Sequence, residues 1–163
     1  LNDVDIAIRP VDPHAKGVQQ EVLFTLEKKL YASSEYLEKY GEPQSIEDLK
    51  NHRIIAPANI EKYPYSQLNW ILTLGLPKGK LHDSIYSSTS IECLFQAAKK
   101  GIGIIGGYEK MSILKNAHLK NILPDITYTK KKGYFIYPDY LKDDKDIIDI
   151  KNYLQKKLII KLG

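Results

Sequence analysis

Four consecutive hydroxyl side chains form the densest group of residues in the sequence that could bind a ligand. Ser87, Ser88, Thr89 and Ser90 end an apolar run and precede a helical pattern, with Ser90 in the N-cap position. The first backbone N–H groups of a helix lack intrahelical acceptors and carry partial positive charge, so they stabilise a carboxylate or another polar oxygen. Alternatively, the serines do no more than cap their own helix, which is the reading that the residue types alone favour.

A glycine-rich segment follows that helix. Gly101, Gly103 and Gly106 match the G-x-G-x-x-G spacing of dinucleotide sites, which requires a strand before the glycines and a helix after them. Here a helix precedes them and an apolar run, residues 102–105, occupies their middle. We therefore predict that Gly101 ends the helix, and that Gly103 and Gly106-Gly107 allow close backbone approach at a buried strand and its C-terminal end. Open α/β sheets bind ligands at that end.

No arrangement of side chains specifies catalysis or a metal ion. The histidines, at positions 14, 52, 82 and 118, lie far apart, and none has a partner at metal-ligand spacing. Cys93 is the single cysteine, so no internal disulfide can form, which suits a reducing compartment. We expect Cys93 to be a small residue in or near the core. We expect no catalytic residue, no metal and no cofactor.

The charge distribution argues against direct nucleic-acid binding by these 163 residues. The net charge is +4, but residues 1–98 carry 10 Lys and Arg against 13 Asp and Glu, whereas residues 99–163 carry 14 against 7. Nucleic-acid-binding surfaces usually cluster basic residues with Arg among them, and here scattered Lys outnumber Arg 22 to 2. Lys130-Lys131-Lys132 before Gly133 is predicted to be the tip of a hairpin that joins strands at 126–128 and 134–137.

The apolar periodicity predicts an α/β fold. Residues 85–88 have strand character, residues 91–98 carry one apolar helical stripe, and residues 102–105 read as a buried strand. This order is the strand–helix–strand unit of a parallel sheet. No apolar run approaches the roughly 20 residues that cross a bilayer, so we expect no membrane span.

Further elements flank this unit. We predict strands at 4–8, ending at Arg9-Pro10, and at 54–56, with residues 19–33 forming two strands or one long bent one. Short helices are predicted from Ser34 to Gly41 and after Ser45, where Asp48 completes a capping box. Residues 57–80 read as irregular around the single tryptophan. The last helix is predicted from about residue 143, with an apolar stripe at Ile147, Ile150, Leu154, Leu158 and Leu162.

Several segments resemble the effector-binding domain of LysR-type transcriptional regulators. Residues 3–9 are similar to the family's D-x-D-[LI]-A-[LI]-R segment, and residues 30–52 to its L-x-A-S-x-x-Y-L, G-x-P and D-L-x-x-H pattern. Residues 90–104 are similar to its S-x-E-x-x-x-x-A-A-x-x-G-x-G-I helix and strand. Residues 122–125, the strand at 134–137 and the last helix complete the order, so the resemblance covers nearly the whole chain.

The resemblance implies a fold like that of periplasmic solute-binding proteins, in which two α/β lobes hold a small effector between them. On that map, residues 1–21 and 141–163 are the remainder of the first lobe, and residues 22–140 form the second lobe. The family's opening strand, helix and second strand, and its winged helix-turn-helix, are expected before Leu1. The first lobe is therefore expected to be incomplete, and DNA binding to belong to a parent protein.

The resemblance, together with the serine cluster, also implies site residues and partners. The predicted effector-binding residues are Arg9 after the first-lobe strand, Ser88, Thr89 and Ser90 at the helix start, and Gly106 and Gly107 after the following strand. The expected partners are a small polar or anionic effector and further copies of the chain in a homodimer or tetramer. The expected location is the cytoplasm.

Two other functions stay open at this point. The first is a solute-binding receptor of a transport system, which shares the two-lobe arrangement and would carry a signal peptide upstream in place of a helix-turn-helix. The second is a small α/β enzyme that uses the glycine segment. Such an enzyme needs a convergent acid, base or nucleophile, and the sequence offers none, so we do not expect an enzyme.

Overall fold

Two compact units make up the chain. The structure, a computed structural model, describes residues 4–58, 66–109, 111–114, 117–126, 128 and 130–162, and within these ranges it does not describe the side chains of 66–68 and 159–162. Unit 1 comprises Leu1–Glu27 and Thr129–Gly163, and unit 2 comprises Lys28–Tyr128. The described helices include none that is both long and apolar enough to cross a membrane.

Unit 1 is an antiparallel sheet with one long helix. Its strands are β1 (Ala7–Arg9), the first part of β2 (Val18–Ser33) and β7 (Lys130–Pro138), with β7 paired to both of the others. A 3₁₀ turn at Asp139–Leu141 leads to α3 (Lys145–Leu162). The core of the unit gathers Leu23, Phe135, Tyr137 and Ile147.

One buried side of α3 contacts the sheet. Lys151 Nζ donates to Glu21 Oε2 at 2.8 Å, and the Tyr137 hydroxyl donates to Glu21 Oε1 at 2.6 Å, so the pKa of the Glu21 carboxyl is lowered. The predicted apolar stripe is only partly correct, because Ile150 is 41% exposed. At 3.6 residues per turn, Ile150 lies about 60° around the helix from the buried Ile147. The predicted Leu162 side chain lies outside the described residues.

The predicted lysine hairpin is wrong. Lys130, Lys131 and Lys132 are part of β7 and pair with Glu27, Leu26 and Thr25 of β2, and Gly133 lies under the ring of Phe24. The reason is the length of β2: it is a single strand of 16 residues with a bulge between Val22 and Phe24, and it supplies partners along all of β7. Ile126 and Tyr128 lie outside any strand, and Thr127 lies outside the described residues.

The boundaries between the units also differ from the predicted lobe boundaries. Residues 22–27 and 129–140, which were predicted to belong with the second lobe, lie in unit 1. They do so because β7 remains hydrogen-bonded to the first part of β2 as far as Glu27.

Unit 2 is built on three parallel strands. β3 (Ile54–Pro57) lies between β4 (Ser84–Ser88) and β5 (Ile104–Tyr108), and α2 (Ile91–Lys99) connects β4 to β5, which confirms the predicted strand–helix–strand unit. The second part of β2 pairs antiparallel with β5 and with β6 (Leu119–Ile122). Further elements are α1 (Ser34–Tyr40) and 3₁₀ turns at Glu47–Asn51, Ser66–Thr73 and Ser112–Leu114.

Both faces of β3 and β5 are buried, as is usual for parallel strands, whereas β4 lies at the edge of the sheet and is exposed over most of its length. Ile54 and Ile104 face a core that contains Leu30, Leu49 and Ile71. The next residue in each strand, Ile55 or Ile105, faces a second core under α2. The other members of that core are Tyr31, Leu94, Phe95 and Ala98. The apolar stripe predicted for α2 is therefore confirmed, whereas Cys93 is exposed and the expectation that it lies in the core is wrong.

The helix ends of unit 2 mostly follow the sequence signals. Ser33, one residue before the predicted Ser34, caps α1 by accepting a hydrogen bond from Tyr36 N at 3.2 Å. Ser45 and Asp48 form the predicted reciprocal pair, because Ser45 N donates to Asp48 Oδ2 and Asp48 N donates to Ser45 Oγ. Gly101 has a φ of 71° after α2, as its predicted role requires.

Candidate functional site

The parallel strands of unit 2 end at a common edge. β4 ends at Ser88, which pairs with Pro57 at the end of β3, and Ala58 N donates to the Ser88 carbonyl at 3.0 Å. β5 ends at Tyr108, on the other side of β3. The carboxyl ends of parallel strands are where open α/β sheets bind ligands. This edge is therefore where the fold favours a ligand site.

At this edge lies the serine site, which we define as Ser88, Thr89 and Ser90. The Ser88 Oγ accepts a hydrogen bond from Ser90 N at 3.1 Å, and the Ser90 Oγ accepts one from Cys93 N at 3.4 Å. Ser90 has extended backbone angles and is the N-cap of α2, as predicted. Two of the three hydroxyl oxygens thus already serve the local backbone.

Several donors at the serine site remain available to a ligand. The hydroxyl hydrogens of Ser88 and Ser90 can rotate outward, since both oxygens act here as acceptors, and Thr89 is exposed. The N–H groups of Ile91 and Glu92 belong to the first turn of α2, where no intrahelical acceptor exists. The arrangement favours an incoming oxygen atom, and an anionic one most.

One nearby charge opposes an anion. Glu92 lies in the first turn of α2, where its carboxylate itself stabilises the helix end. Its Oε1 accepts a hydrogen bond from Gln96 Nε2 at 2.8 Å, one turn along the helix. Because that bond draws the carboxylate along the helix side, Glu92 weakens the anion preference of the serine site without removing it.

Gly106 and Gly107 lie inside β5, so their predicted place after the strand is wrong. Both are buried and pair with Leu30 and Lys29 of β2, which extends the strand to Tyr108. A Cβ on Gly106 would lie 3.0 to 3.3 Å from atoms of the Trp70 indole. One on Gly107 would lie 3.2 Å from the Phe95 ring and 3.3 Å from that of Tyr31. The two glycines therefore seat aromatic rings on opposite faces of the sheet.

Arg9 is placed in unit 1, at the end of β1. Its guanidinium lies 3.8 Å from the Asp12 carboxylate, and both side chains are well exposed. Such a pair is weak, so the guanidinium can exchange Asp12 for another anion. Of the six predicted site residues, the structure brings together Ser88, Thr89 and Ser90.

Sequence reasoning missed a group of polar and aromatic residues around the single tryptophan, which we call the Trp70 cluster. The Trp70 ring centroid is 5.1 Å from that of Tyr128, and Lys28 Nζ lies 5.1 Å from the Trp70 ring centre. We include Asn69, which directly precedes Trp70, and Tyr108, which pairs with Lys28 across β2 and β5. Its members are far apart in sequence, and the sequence signal was limited to a lone tryptophan in a segment rich in Tyr and Asn.

Five buried polar atoms of the Trp70 cluster have no hydrogen-bond partner among the described residues: Asn69 Nδ2 and Oδ1, Trp70 Nε1, Tyr108 OH and Tyr128 OH. Burial raises the pKa of the Tyr128 hydroxyl to about 12 and raises the pKa of the Tyr108 hydroxyl as well. Both tyrosines are therefore neutral at physiological pH and keep a hydrogen to donate.

A second buried tyrosine network is fully paired. The Tyr36 hydroxyl accepts from Arg53 N at 2.9 Å, so its hydrogen is free to donate to His52 Nδ1 at 3.0 Å. Burial lowers the pKa of His52, and the nearby Asp48 carboxylate opposes that shift. His52 thus has a structural role. In the part of the chain that the structure describes, no three His, Cys, Asp or Glu side chains come together as a metal site.

The comparisons with known proteins agree on one fold. The family model described as the LysR substrate binding domain matches residues 1–132. The chain is similar to the regulatory domain of CrgA, a LysR-type transcriptional regulator from Neisseria meningitidis, with 23% identity, a TM-score of 0.67, and coverage of 96% of this chain and 76% of that one. No curated protein matches the chain by sequence.

Two other regulatory domains have the same fold. That of AphB from Vibrio vulnificus, treated with cumene hydroperoxide, gives 16% identity and a TM-score of 0.71, covering 94% of this chain and 75% of that one. That of MetR from N. meningitidis, a LysR family regulator in a variant with two cysteines changed to serine, gives 16% identity and a TM-score of 0.65, covering 99% and 76%. Against CrgA itself, the chain spans 53% of the length.

Proposed function

Since the chain belongs to the LysR substrate-binding domain family, we propose that it senses a small polar or anionic metabolite for a LysR-type transcriptional regulator. The observation that carries the proposal is the donor-rich serine site at the end of the parallel strands. The proposal assigns no chemical reaction to the chain. A regulator of this kind works in the cytoplasm as a dimer or tetramer, and it binds DNA through a separate winged helix-turn-helix domain.

At the serine site, an effector oxygen accepts hydrogen bonds from the Thr89 hydroxyl and from the first N–H groups of α2. The positive end of the helix favours a carboxylate over a neutral group of the same shape. The Ser88 and Ser90 hydroxyls add donors without giving up the hydrogen bonds that they accept.

Binding regulates only by shifting an equilibrium between conformations. An effector that binds two arrangements of the regulator equally well changes neither population. The serine site is suited to such a role because its donors are fixed to the start of a helix, so a small displacement of α2 changes the hydrogen bonds that the effector receives. The effector therefore favours whichever arrangement presents these donors best.

Two variants separate ligand binding from helix capping. Thr89→Val keeps the side-chain shape and removes a hydroxyl that no cap uses. Ser90→Asp keeps a good N-cap but adds a negative charge, which repels an anionic effector. The measurement is calorimetric titration with the organic acid that most raises the melting temperature in a thermal-shift screen of the chain.

We expect Thr89→Val to weaken binding about tenfold, as the loss of a hydrogen bond to a charged group does, and Ser90→Asp to weaken it by about 100-fold or more. Ser87→Ala is the matched control, because Ser87 Oγ contacts Ser84 Oγ and is not part of the serine site. Equal affinity for all four proteins would exclude the serine site. An effector-binding role for Arg9, Gly106 and Gly107 remains a prediction from the family resemblance. Titration of Arg9→Ala with the same acid tests the role of Arg9.

A further inference from the structure

The Trp70 cluster has features of a binding site in its own right. The indole edge formed by Cζ2, Cε2 and Nε1 lies over Gly106, where a Cβ would be 3.0, 3.1 and 3.3 Å from these atoms. The two tyrosines belong to the same side. Tyr128 contacts the Trp70 ring directly, and Tyr108 follows Gly106 by two residues in β5, so that strand alternation places it on the same face.

Lys28 brings a positive charge to this face. It pairs with Tyr108 across β2 and β5, and residues directly opposite in a sheet share a face. Its ammonium lies over the Trp70 ring. Lys28 and Trp70 are half-buried, so the cluster reaches solvent at these two residues.

The buried polar atoms of the Trp70 cluster lack the hydrogen-bond partners that a bound ligand would supply. Buried polar groups in proteins are almost always hydrogen-bonded, because an unpaired one loses its hydration without compensation. Tyr108, Tyr128 and Asn69 are each at least nine-tenths buried, and their polar side-chain atoms lack partners among the described residues. Several such atoms in one cluster mark a place that a ligand can satisfy.

The chemistry of these groups selects the ligand class. Trp70 Nε1 can only donate, the two neutral tyrosines have a hydrogen to donate, and Lys28 is a cation. Donors around a positive charge favour an ionised carboxylate. The indole and phenol rings offer flat apolar surfaces, which favour a planar body behind the carboxylate.

We propose that the Trp70 cluster is a second binding site, which takes a small planar organic acid as its carboxylate. The site differs from the serine site by its place in unit 2. Trp70 packs in the core that contains Ile54 and Ile104, whereas α2 covers the opposite face of the same strands. The inference does not depend on the effector proposed for the serine site.

The single tryptophan makes the test direct, because all tryptophan fluorescence comes from Trp70. We would titrate the chain with sodium benzoate as the probe, with benzamide as its neutral counterpart and with sodium acetate as the carboxylate that lacks the aromatic ring. We expect benzoate to change the Trp70 emission saturably at millimolar concentration, and benzamide and acetate to bind at least about tenfold more weakly.

Matched variants then locate the probe. Tyr108→Phe and Tyr128→Phe remove one hydroxyl each and should weaken benzoate binding about tenfold, whereas Tyr86→Phe, on an exposed tyrosine of β4, should bind like the unmodified chain. Melting temperatures without benzoate verify that the variants fold, and neither cluster variant should melt below the unmodified chain.

Three results would overturn the proposal: no saturable response to benzoate, an equal response to benzamide, or equal benzoate affinity for Tyr128→Phe and Tyr86→Phe. If Thr89→Val weakens benzoate binding and Tyr128→Phe does not, benzoate occupies the serine site. That outcome would remove the second site and leave the proposed sensing function in place.

Discussion

The serine site and the Trp70 cluster both lie near the carboxyl ends of the parallel strands, but they differ in how far their hydroxyl groups are hydrogen-bonded within the chain. Ser90 is exposed and Ser88 is half-buried, and their hydroxyl oxygens already hold the start of α2, whereas the hydroxyl oxygens of Tyr108 and Tyr128 are buried and lack partners in the described structure. The serine site is therefore stable without a ligand, and its free donors are hydroxyl hydrogens and the first N–H groups of α2. The Trp70 cluster has side-chain groups that only an occupant can satisfy.

Because of this difference, a substitution that removes a hydroxyl affects the stability of the fold in opposite directions in the two regions. At the serine site, loss of the Ser88 or Ser90 hydroxyl weakens the fold as well as ligand binding. In the Trp70 cluster, a hydroxyl lost by mutation weakens the ligand and relieves the empty fold. Stability measurements on the chain without ligand therefore distinguish the two regions.

The largest expected effect comes from adding a side chain at Gly106, against which the Trp70 indole packs. Gly106→Val places side-chain carbons against Trp70, where even a Cβ would be as close as 3.0 Å. We expect the free energy of unfolding to fall by about 3 kcal/mol, as in overpacked cores, with a shift of the Trp70 emission. Urea denaturation followed by fluorescence measures both, and an unchanged midpoint would show that the indole does not rest on Gly106.

A pair of tyrosine variants gives the next largest effect and opposite signs. Tyr36→Phe leaves Arg53 N and His52 Nδ1 without their partner, so we expect a loss of about 2 kcal/mol of unfolding free energy. Tyr128→Phe removes a hydroxyl that has no partner and should raise the unfolding free energy by about 1 kcal/mol. Urea denaturation of both variants checks the signs. Destabilisation by Tyr128→Phe would mean that its hydroxyl is already hydrogen-bonded.

Cap variants test the same contrast at the serine site. Ser90→Ala should lower the unfolding free energy by about 1 kcal/mol, because Cys93 N loses its acceptor, whereas Ser90→Asp should leave it nearly unchanged. Thermal melting of the two variants without ligand gives the comparison. If Ser90→Ala melts like the unmodified chain, the Ser90 hydroxyl is not a working cap and the serine site resembles the Trp70 cluster more than we infer.

Acidification should give the smallest effect. The pKa of His52 is lowered in the folded chain, so the unfolded chain takes up the proton first as the pH falls. The stabilisation is fully present above the ordinary histidine pKa near 6.5 and is lost as the pH falls below it. His52→Asn keeps an acceptor for Tyr36 without titrating there. The pH dependence of its urea midpoint should be flatter, and an identical dependence would exclude His52.

Local signals in the sequence predicted much of this structure. The apolar stripe of α2, the Ser90 cap and the left-handed Gly101 depend on neighbours within two turns of the chain, and each is confirmed. The family resemblance, which joined such local patterns in order, predicted the family that the family model then matched.

Features that depend on long-range pairing could not be predicted in the same way. Lys130 and its neighbours carry turn-like chemistry, yet they lie in a strand because β2 extends to meet them. Gly106 and Gly107 belong to β5 for a similar reason, since β2 pairs with them from 76 and 78 residues away. The Trp70 cluster draws on Lys28, Tyr108 and Tyr128, and no sequence period connects them.

The central claim is that donors at the start of α2 hold an anionic effector, and calorimetric titration of Ser90→Asp tests it most directly. The probe is the organic acid selected by thermal shift, and the unmodified chain is the reference. We predict a melting temperature without ligand that matches the reference, together with an affinity lower by about 100-fold or more. An Asp variant that binds the acid as tightly as the unmodified chain would contradict the claim.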